Sequence, residues 1–163
     1  MDQRLKNLPI GIQNFESLRD DDYLYVDKTA YVYQLTHAGR YFFLSRPRRF
    51  GKSMLVSTLK AYFQGKKNLF EGLAIEKLET EWTEYPVLHL DLNTAMFTSS
   101  DVLLQKLDVT LQDWESQYEC DVVTSDLGMR FERVIRRAYQ KTGQKVVILV
   151  DEYDKPMLQA IGN

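Results

Sequence analysis

Apolar residues recur along this chain in two rhythms. Short, mostly apolar runs stand at Tyr41–Ser45 (YFFLS), Val87–Leu92 (VLHLDL) and Val146–Val150 (VVILV), and runs of this length bounded by turn residues predict strands buried on both faces. Between them apolar residues return every three or four positions, the interval of a helix with one buried face. That interval predicts a short helix within 11–22 on Ile12, Phe15 and Leu18, broken by Asp20-Asp21-Asp22. Tyr23–Val26 then reads as extended. Asp27 is placed to cap a helix through Leu35, with Ala30 or Tyr31, Gln34 and Leu35 on one face and Gly39 as its stop. A third helix follows Gly51, aligning Leu55, Leu59, Tyr62 and Phe63 and stopping near Gly65. The charged stretch 65–84 reads as a connector, with a turn at Gly72 and a short helix around Glu76. Ser100 is placed to cap a helix whose Leu103, Leu107, Leu111, Trp114 and Tyr118 form a core stripe. Ser125 is placed to cap another, with Leu127, Phe131, Val134 or Ile135 and Ala138 inward, Gly143 as its end, and Arg130, Arg133, Arg136 and Arg137 as a solvated outer face. Strand, helix, strand, helices, strand is the order of an α/β sandwich with a mainly parallel sheet.

Composition narrows the classes. With 163 residues, 44% of them hydrophobic, one sizeable core is expected, and the chain reads as one domain. A net charge of -2 argues against a dedicated nucleic-acid binder, though a local basic patch is compatible with it. No apolar run approaches the roughly 20 residues that span a bilayer, and the N-terminal residues lack the apolar core of a secretory signal. The single Cys120 leaves no internal disulfide. These features predict a soluble, cytoplasmic protein with no membrane partner.

The chemistry concentrates at two strand ends. After Tyr41–Ser45 comes RPRRFGKSM, whose Gly51-Lys52-Ser53 is the closing half of the phosphate-binding pattern G-x-x-x-x-G-K-[ST]. In that pattern backbone N–H groups and a helix N-terminus surround a polyphosphate, the Lys reaches its β and γ groups, and the hydroxyl ligates Mg²⁺. The pattern's first glycine is replaced by Arg46, whose Cβ obstructs close backbone approach, and Pro47 removes one N–H donor. Arg46, Arg48 and Arg49 bring guanidinium groups that can bond phosphate oxygens in place of the lost backbone donors; the alternative is that they point outward or pair with acidic residues. The expected nucleotide-binding residues are Arg46, Arg48, Arg49, Phe50, Gly51, Lys52, Ser53 and Met54. After Val146–Val150 comes Asp151-Glu152-Tyr153-Asp154. Asp151 at the carboxyl end of a buried strand can hold Mg²⁺ together with Ser53, and Glu152 can orient or deprotonate an attacking water as the catalytic residue. Asp27, Lys28 and Thr29 read as helix capping in preference to nucleotide contact. Asp91 reads as capping or solvated, and His89 as a hydrogen-bonded core residue.

The runs FLSRPRRFGKSMLVSTLKAYFQGKKNLFEGLAI, YVDKT and VVILVDEYDKPML resemble the bacterial AAA-ATPase-like domain family, from Leu8 to Leu158. In that family S-R-P-R-R-F-G-K-S is the form the loop takes, so Arg46 is a family feature. The resemblance implies a three-layer αβα P-loop NTPase of the additional-strand type, with strand order 5-1-4-3-2. It also implies ATP as the nucleotide and a nuclease-like domain of the PD-(D/E)XK type C-terminal to this one. On that topology the chain stops after its second nucleotide motif, so 1–40 is a leading segment and 41–163 an incomplete nucleotide-binding core, with a gap where the next strand inserts. The expected function is an ATP-binding, Mg²⁺-dependent hydrolysing module that regulates or drives an attached effector, with little or no activity in this piece alone. The alternatives are a nucleotide-sensing domain without hydrolysis, and a nucleic-acid-binding module using the loop arginines and the helix around Arg133.

Overall fold

The computed structural model of the protein describes residues 6–45, 51–93, 96 and 98–161. They fall into two compact units, Met1–Glu84 and Tyr85–Asn163, each with its own hydrophobic core.

The first unit is helical. Its elements are α1 (Phe15–Asp20), α2 (Thr29–Ala38), α3 (Lys52–Phe63) and two 3-10 turns, Lys67–Phe70 and Ala74–Lys77. Asn14 caps α1 by accepting the Ser17 N–H at 3.2 Å. The helix then buries Phe15 and Leu18, the pair its spacing predicts. Phe15 sits against Tyr25 and Phe70 at ring-centroid distances of 5.2 and 4.9 Å, and Phe70 against Trp82 at 5.1 Å. Burying an aromatic or large aliphatic side chain of this kind stabilises by about 1.5–3 kcal/mol each. The inner face of α3 joins this cluster through Ala61 and Tyr62, with Leu55, Leu59 and Phe63 half-buried beside them. The stretch read as a charged connector contributes Leu69, Phe70, Leu73 and Ile75 to the same core. Its charges face outward while its apolar residues, spaced for 3-10 turns, point in.

Asp27 caps α2 from one position further out than expected. Its Oδ1 accepts the Thr29 N–H and hydroxyl at 2.8 and 2.7 Å, while Oδ2 accepts the Ala74 N–H at 2.7 Å. Thr29 in turn accepts the Ile75 N–H. The YVDKT run therefore fastens α2 to the second 3-10 turn, and both Asp27 oxygens are committed to structural bonds. Burial pushes the Asp27 carboxyl up, but these hydrogen bonds outweigh it and hold the group below the usual carboxylate range.

Two expectations fail in this unit. The face expected of α2 is not its buried one, since Thr29 and Val32 are buried while Tyr31 and Gln34 are exposed. Tyr41–Ser45 does not form a strand; Tyr41 is 94% and Phe43 74% exposed. A strand needs a partner for its backbone N–H and C=O groups as well as apolar side chains. Tyr41–Ser45 has the apolar side chains, but the sheet of the described residues pairs only Val87–Asp91 with Val147–Asp151.

The second unit holds β1 (Val87–Asp91), α4 (Ser100–Tyr118), α5 (Leu127–Thr142), β2 (Val147–Asp151) and α6 (Lys155–Ile161). The two strands pair in parallel, from Val87 opposite Val147 to Asp91 opposite Asp151. This is a small parallel sheet in a mixed α/β chain. Leu88, Leu111, Tyr118, Val134 and Ala138 form the core. The expected α4 stripe is deepest at Leu111 and Tyr118; Leu103 and Leu107 are only half-buried. β2 is less buried than its run of apolar residues suggests, with Ile148 and Val150 nearly half exposed.

The helix starts differ by one residue from expectation. Ser99 rather than Ser100 precedes α4, with no side-chain cap bond. Asp126 rather than Ser125 caps α5, accepting the Met129 N–H at 2.8 Å. Arg130 does not belong to a solvated face. It is buried, donating from Nε and Nη2 to the two Glu115 oxygens at 2.8 and 2.7 Å and from Nη1 to Asp108. These acceptors raise its affinity for its proton despite burial. The helical interval alone places Arg130 outward; α4 brings a carboxylate to meet it.

Candidate functional site

Gly51 lies just before α3 in the left-handed region, at φ 76° and ψ 23°. No described residue lies within 4 Å of where its Cβ would stand. Glycine is suited there because an L side chain is disfavoured by that backbone alone. The first bond inside α3 runs from the Leu55 N–H to the Gly51 carbonyl, at 3.0 Å. The N–H groups of Lys52, Ser53 and Met54 therefore have no acceptor within the helix. Among the described residues no side chain caps this end, and no acidic residue stands in its first turn. The result is a cluster of N–H donors on the positive end of a 12-residue helix whose first two residues are Lys52 and Ser53.

Packing holds the helix in place. Thr58 and Ala61 are buried behind this end, and Thr58 donates its hydroxyl to the Met54 carbonyl at 2.8 Å. The Met54 side chain packs against the core, so only its backbone amide is free to meet a ligand. Arg46, Arg48, Arg49 and Phe50 lie outside the described residues.

The second half of the expected site is at the carboxyl end of β2. Asp151 is only 7% exposed. Its Oδ1 accepts the Glu152 N–H at 2.9 Å. Glu152 has φ 55°, a left-handed conformation that costs a non-glycine residue about 1–2 kcal/mol. The Lys155 N–H donates to the Glu152 carbonyl at 3.0 Å, closing the turn into α6.

The sheet register adds a neighbour. Asp91 stands opposite Asp151, half-buried, with Oδ1 accepting the Asn93 N–H at 2.7 Å. The capping role read from its position is present. What the single strand did not reveal is that both β1 and β2 end on an aspartate at the same register. The shared pattern of an apolar run ending in Asp is the signal that could have paired them.

Lys52 and Ser53 belong to the first unit, and Asp151 and Glu152 to the second. Within each unit the predicted residues are brought together: Lys52 and Ser53 on one helix end, Asp151 and Glu152 on one strand end. No cluster of three or more His, Cys, Asp and Glu able to hold a metal occurs among the described residues.

No described helix is long and apolar enough to cross a membrane. No solved structure matches the chain. A curated relative, an uncharacterized protein encoded 5' of vnfD in Azotobacter chroococcum mcd 1, is 41% identical over 155 residues. The match covers 94% of this chain and 30% of that protein, so the chain spans about a third of its relative's length. The sequence profile of the family described as Predicted AAA-ATPase matches residues 9–163. Such a match, covering nearly the whole chain and including both GKS and the acidic end of β2, means that the chain belongs to the predicted AAA-ATPase family.

Proposed function

We propose that this chain is the nucleotide-binding part of a Mg²⁺-dependent ATPase that regulates or drives an attached effector. The observation that carries the proposal is the N-terminus of α3, which no described side chain caps. Three N–H groups without helical acceptors, beside Lys52 and Ser53, offer a polyphosphate both hydrogen bonds and positive charge. Family membership supports ATP as the nucleotide.

In this reading the Lys52 ammonium binds the β and γ phosphates, and the amides of Lys52, Ser53 and Met54 orient them. Arg46, Arg48 and Arg49 supplement that cradle. Ser53 and Asp151 hold the cation, which supplies charge neutralisation across the phosphates when bound. Glu152 orients the water and accepts its proton. A P-loop fold of the additional-strand type is the architecture that unites the two halves.

The test uses the full-length protein. Lys52→Ala is expected to abolish binding of a fluorescent ATP analogue, and Glu152→Gln to bind it normally while releasing no phosphate. Unchanged affinity in Lys52→Ala would refute the binding site. Wild-type binding with no phosphate release would convert the reading to a nucleotide-sensing domain. Steeply salt-dependent DNA affinity in the absence of nucleotide would favour the nucleic-acid alternative.

A further inference from the structure

The turn after β2 is tied to the exit of β1 by a single cation. Lys155, the first residue of α6, donates from Nζ to the Asn93 carbonyl and lies 3.3 Å from the Asn93 Oδ1. Asn93 is two residues beyond Asp91, whose Oδ1 holds the Asn93 N–H. Lys155 is three residues beyond Glu152 and donates its own N–H to the Glu152 carbonyl. Leu92 N–H to Asp151 C=O, at 3.2 Å, is the last rung between the strands. Past that rung, the Lys155 side chain bridges the two exits.

The bridge encloses the one strained residue of the turn. Glu152 is held at φ 55°, and a non-glycine residue keeps such a backbone only where its surroundings over-determine it. Here the restraints are the Asp151 carboxylate on the Glu152 N–H, the Lys155 N–H on the Glu152 C=O, and the Lys155 ammonium anchored across the sheet. We infer that Lys155 is a positioning residue: by locking the two strand exits together it holds Glu152 in its left-handed conformation, and with it the direction of the Glu152 carboxylate. The inference rests on the hydrolytic reading above for its consequence and on geometry alone for the lock itself.

The experiment compares Lys155→Met, which keeps the apolar stem and removes the ammonium, with Lys155→Arg, which keeps a cation able to reach a carbonyl. Two readouts are taken on the full-length protein: amide hydrogen exchange of the 151–155 segment, and the KM and kcat of ATP hydrolysis. Lys155→Met is expected to speed exchange at Glu152 and Tyr153 about tenfold, and to lower kcat at least tenfold with KM within twofold. Misplacement of a reacting group by about 1 Å is enough for such a loss. Lys155→Arg is expected to restore both in large part. Unchanged exchange in Lys155→Met overturns the lock, whatever the activity. Faster exchange with unchanged kcat overturns the positioning role. A kcat and KM that fall with the melting temperature, unrescued by arginine, overturn it in favour of a merely structural bond. If the wild type does not hydrolyse ATP, the hydrolytic reading and the role assigned to Lys155 in it both fail, and the exchange result alone then decides the lock.

Discussion

Gly51 offers a comparison that separates backbone strain from ligand access. The perturbation is Gly51→Ala. At φ 76° an added Cβ opposes the backbone by about 1–2 kcal/mol, partly offset because alanine also restricts the unfolded chain, by about 0.4–1 kcal/mol. A net loss of about 1 kcal/mol is expected. No described residue beyond its chain neighbours stands within 4 Å of the new Cβ, so the described residues add no steric penalty. Gly143, at the end of α5, is the internal control. Its φ is 69° and its Cβ direction is equally empty, yet it lies far along the chain from the phosphate loop. Gly143→Ala should lose the same stability and keep full nucleotide affinity. Gly51→Ala should bind ATP at least tenfold more weakly, about 1.4 kcal/mol, because the methyl occupies space that phosphate oxygens need against the N–H groups. The assay is titration of a fluorescent ATP analogue beside urea unfolding of both variants. Equal affinities, within twofold, would refute the assignment of this turn as the phosphate seat.

Two further predictions concern stability. Glu115→Ala should destabilise the second unit by about 3 kcal/mol, since it leaves the buried Arg130 guanidinium with only Asp108; urea unfolding followed by Trp114 fluorescence in a Trp82→Phe background checks this, and a loss below about 1 kcal/mol would mean that Arg130 finds water. Asp27 is a carboxylate whose folded pKa lies below its unfolded value of about 3.9, so its contribution is present above that unfolded value and is lost as pH falls through the lower folded one. Asp27→Asn should therefore be less stable at pH 6 and converge on the wild type in the most acidic solutions; parallel urea curves for the two proteins from pH 6 to pH 3 would contradict this sign.

Much of the helical layout was legible because each helix carries its own address. Phe15 and Leu18, Tyr62, Leu111 and Tyr118, Val134 and Ala138 are buried where the interval of three to four residues puts them, whereas the face expected of α2 is not its buried one. The starts of α2, α4 and α5 and the end of α5 were legible to within a residue or two, since Asp27 acts through a local bond and Gly143 through its left-handed backbone. The GKS turn was readable for the same reason. Its left-handed glycine, its uncapped helix end and its neighbouring Lys52 and Ser53 all lie within a few residues.

What the chain alone could not decide is where two distant pieces meet. YFFLS has the side chains of a strand, but pairing depends on a neighbour that no local pattern specifies. Arg130 reads as one more outward arginine until Glu115, on another helix, turns it inward. Asp91 is a lone acidic residue until the β1–β2 register sets it opposite Asp151, and Lys155 a surface cation until its ammonium reaches Asn93. The sequence by itself therefore determined most of the helices, two of the three expected strands and the family. Tertiary structure alone decided which side chains share a strand end and which charges are buried, because side-chain environment depends on contacts between residues far apart in the chain, and local periodicity carries no record of them.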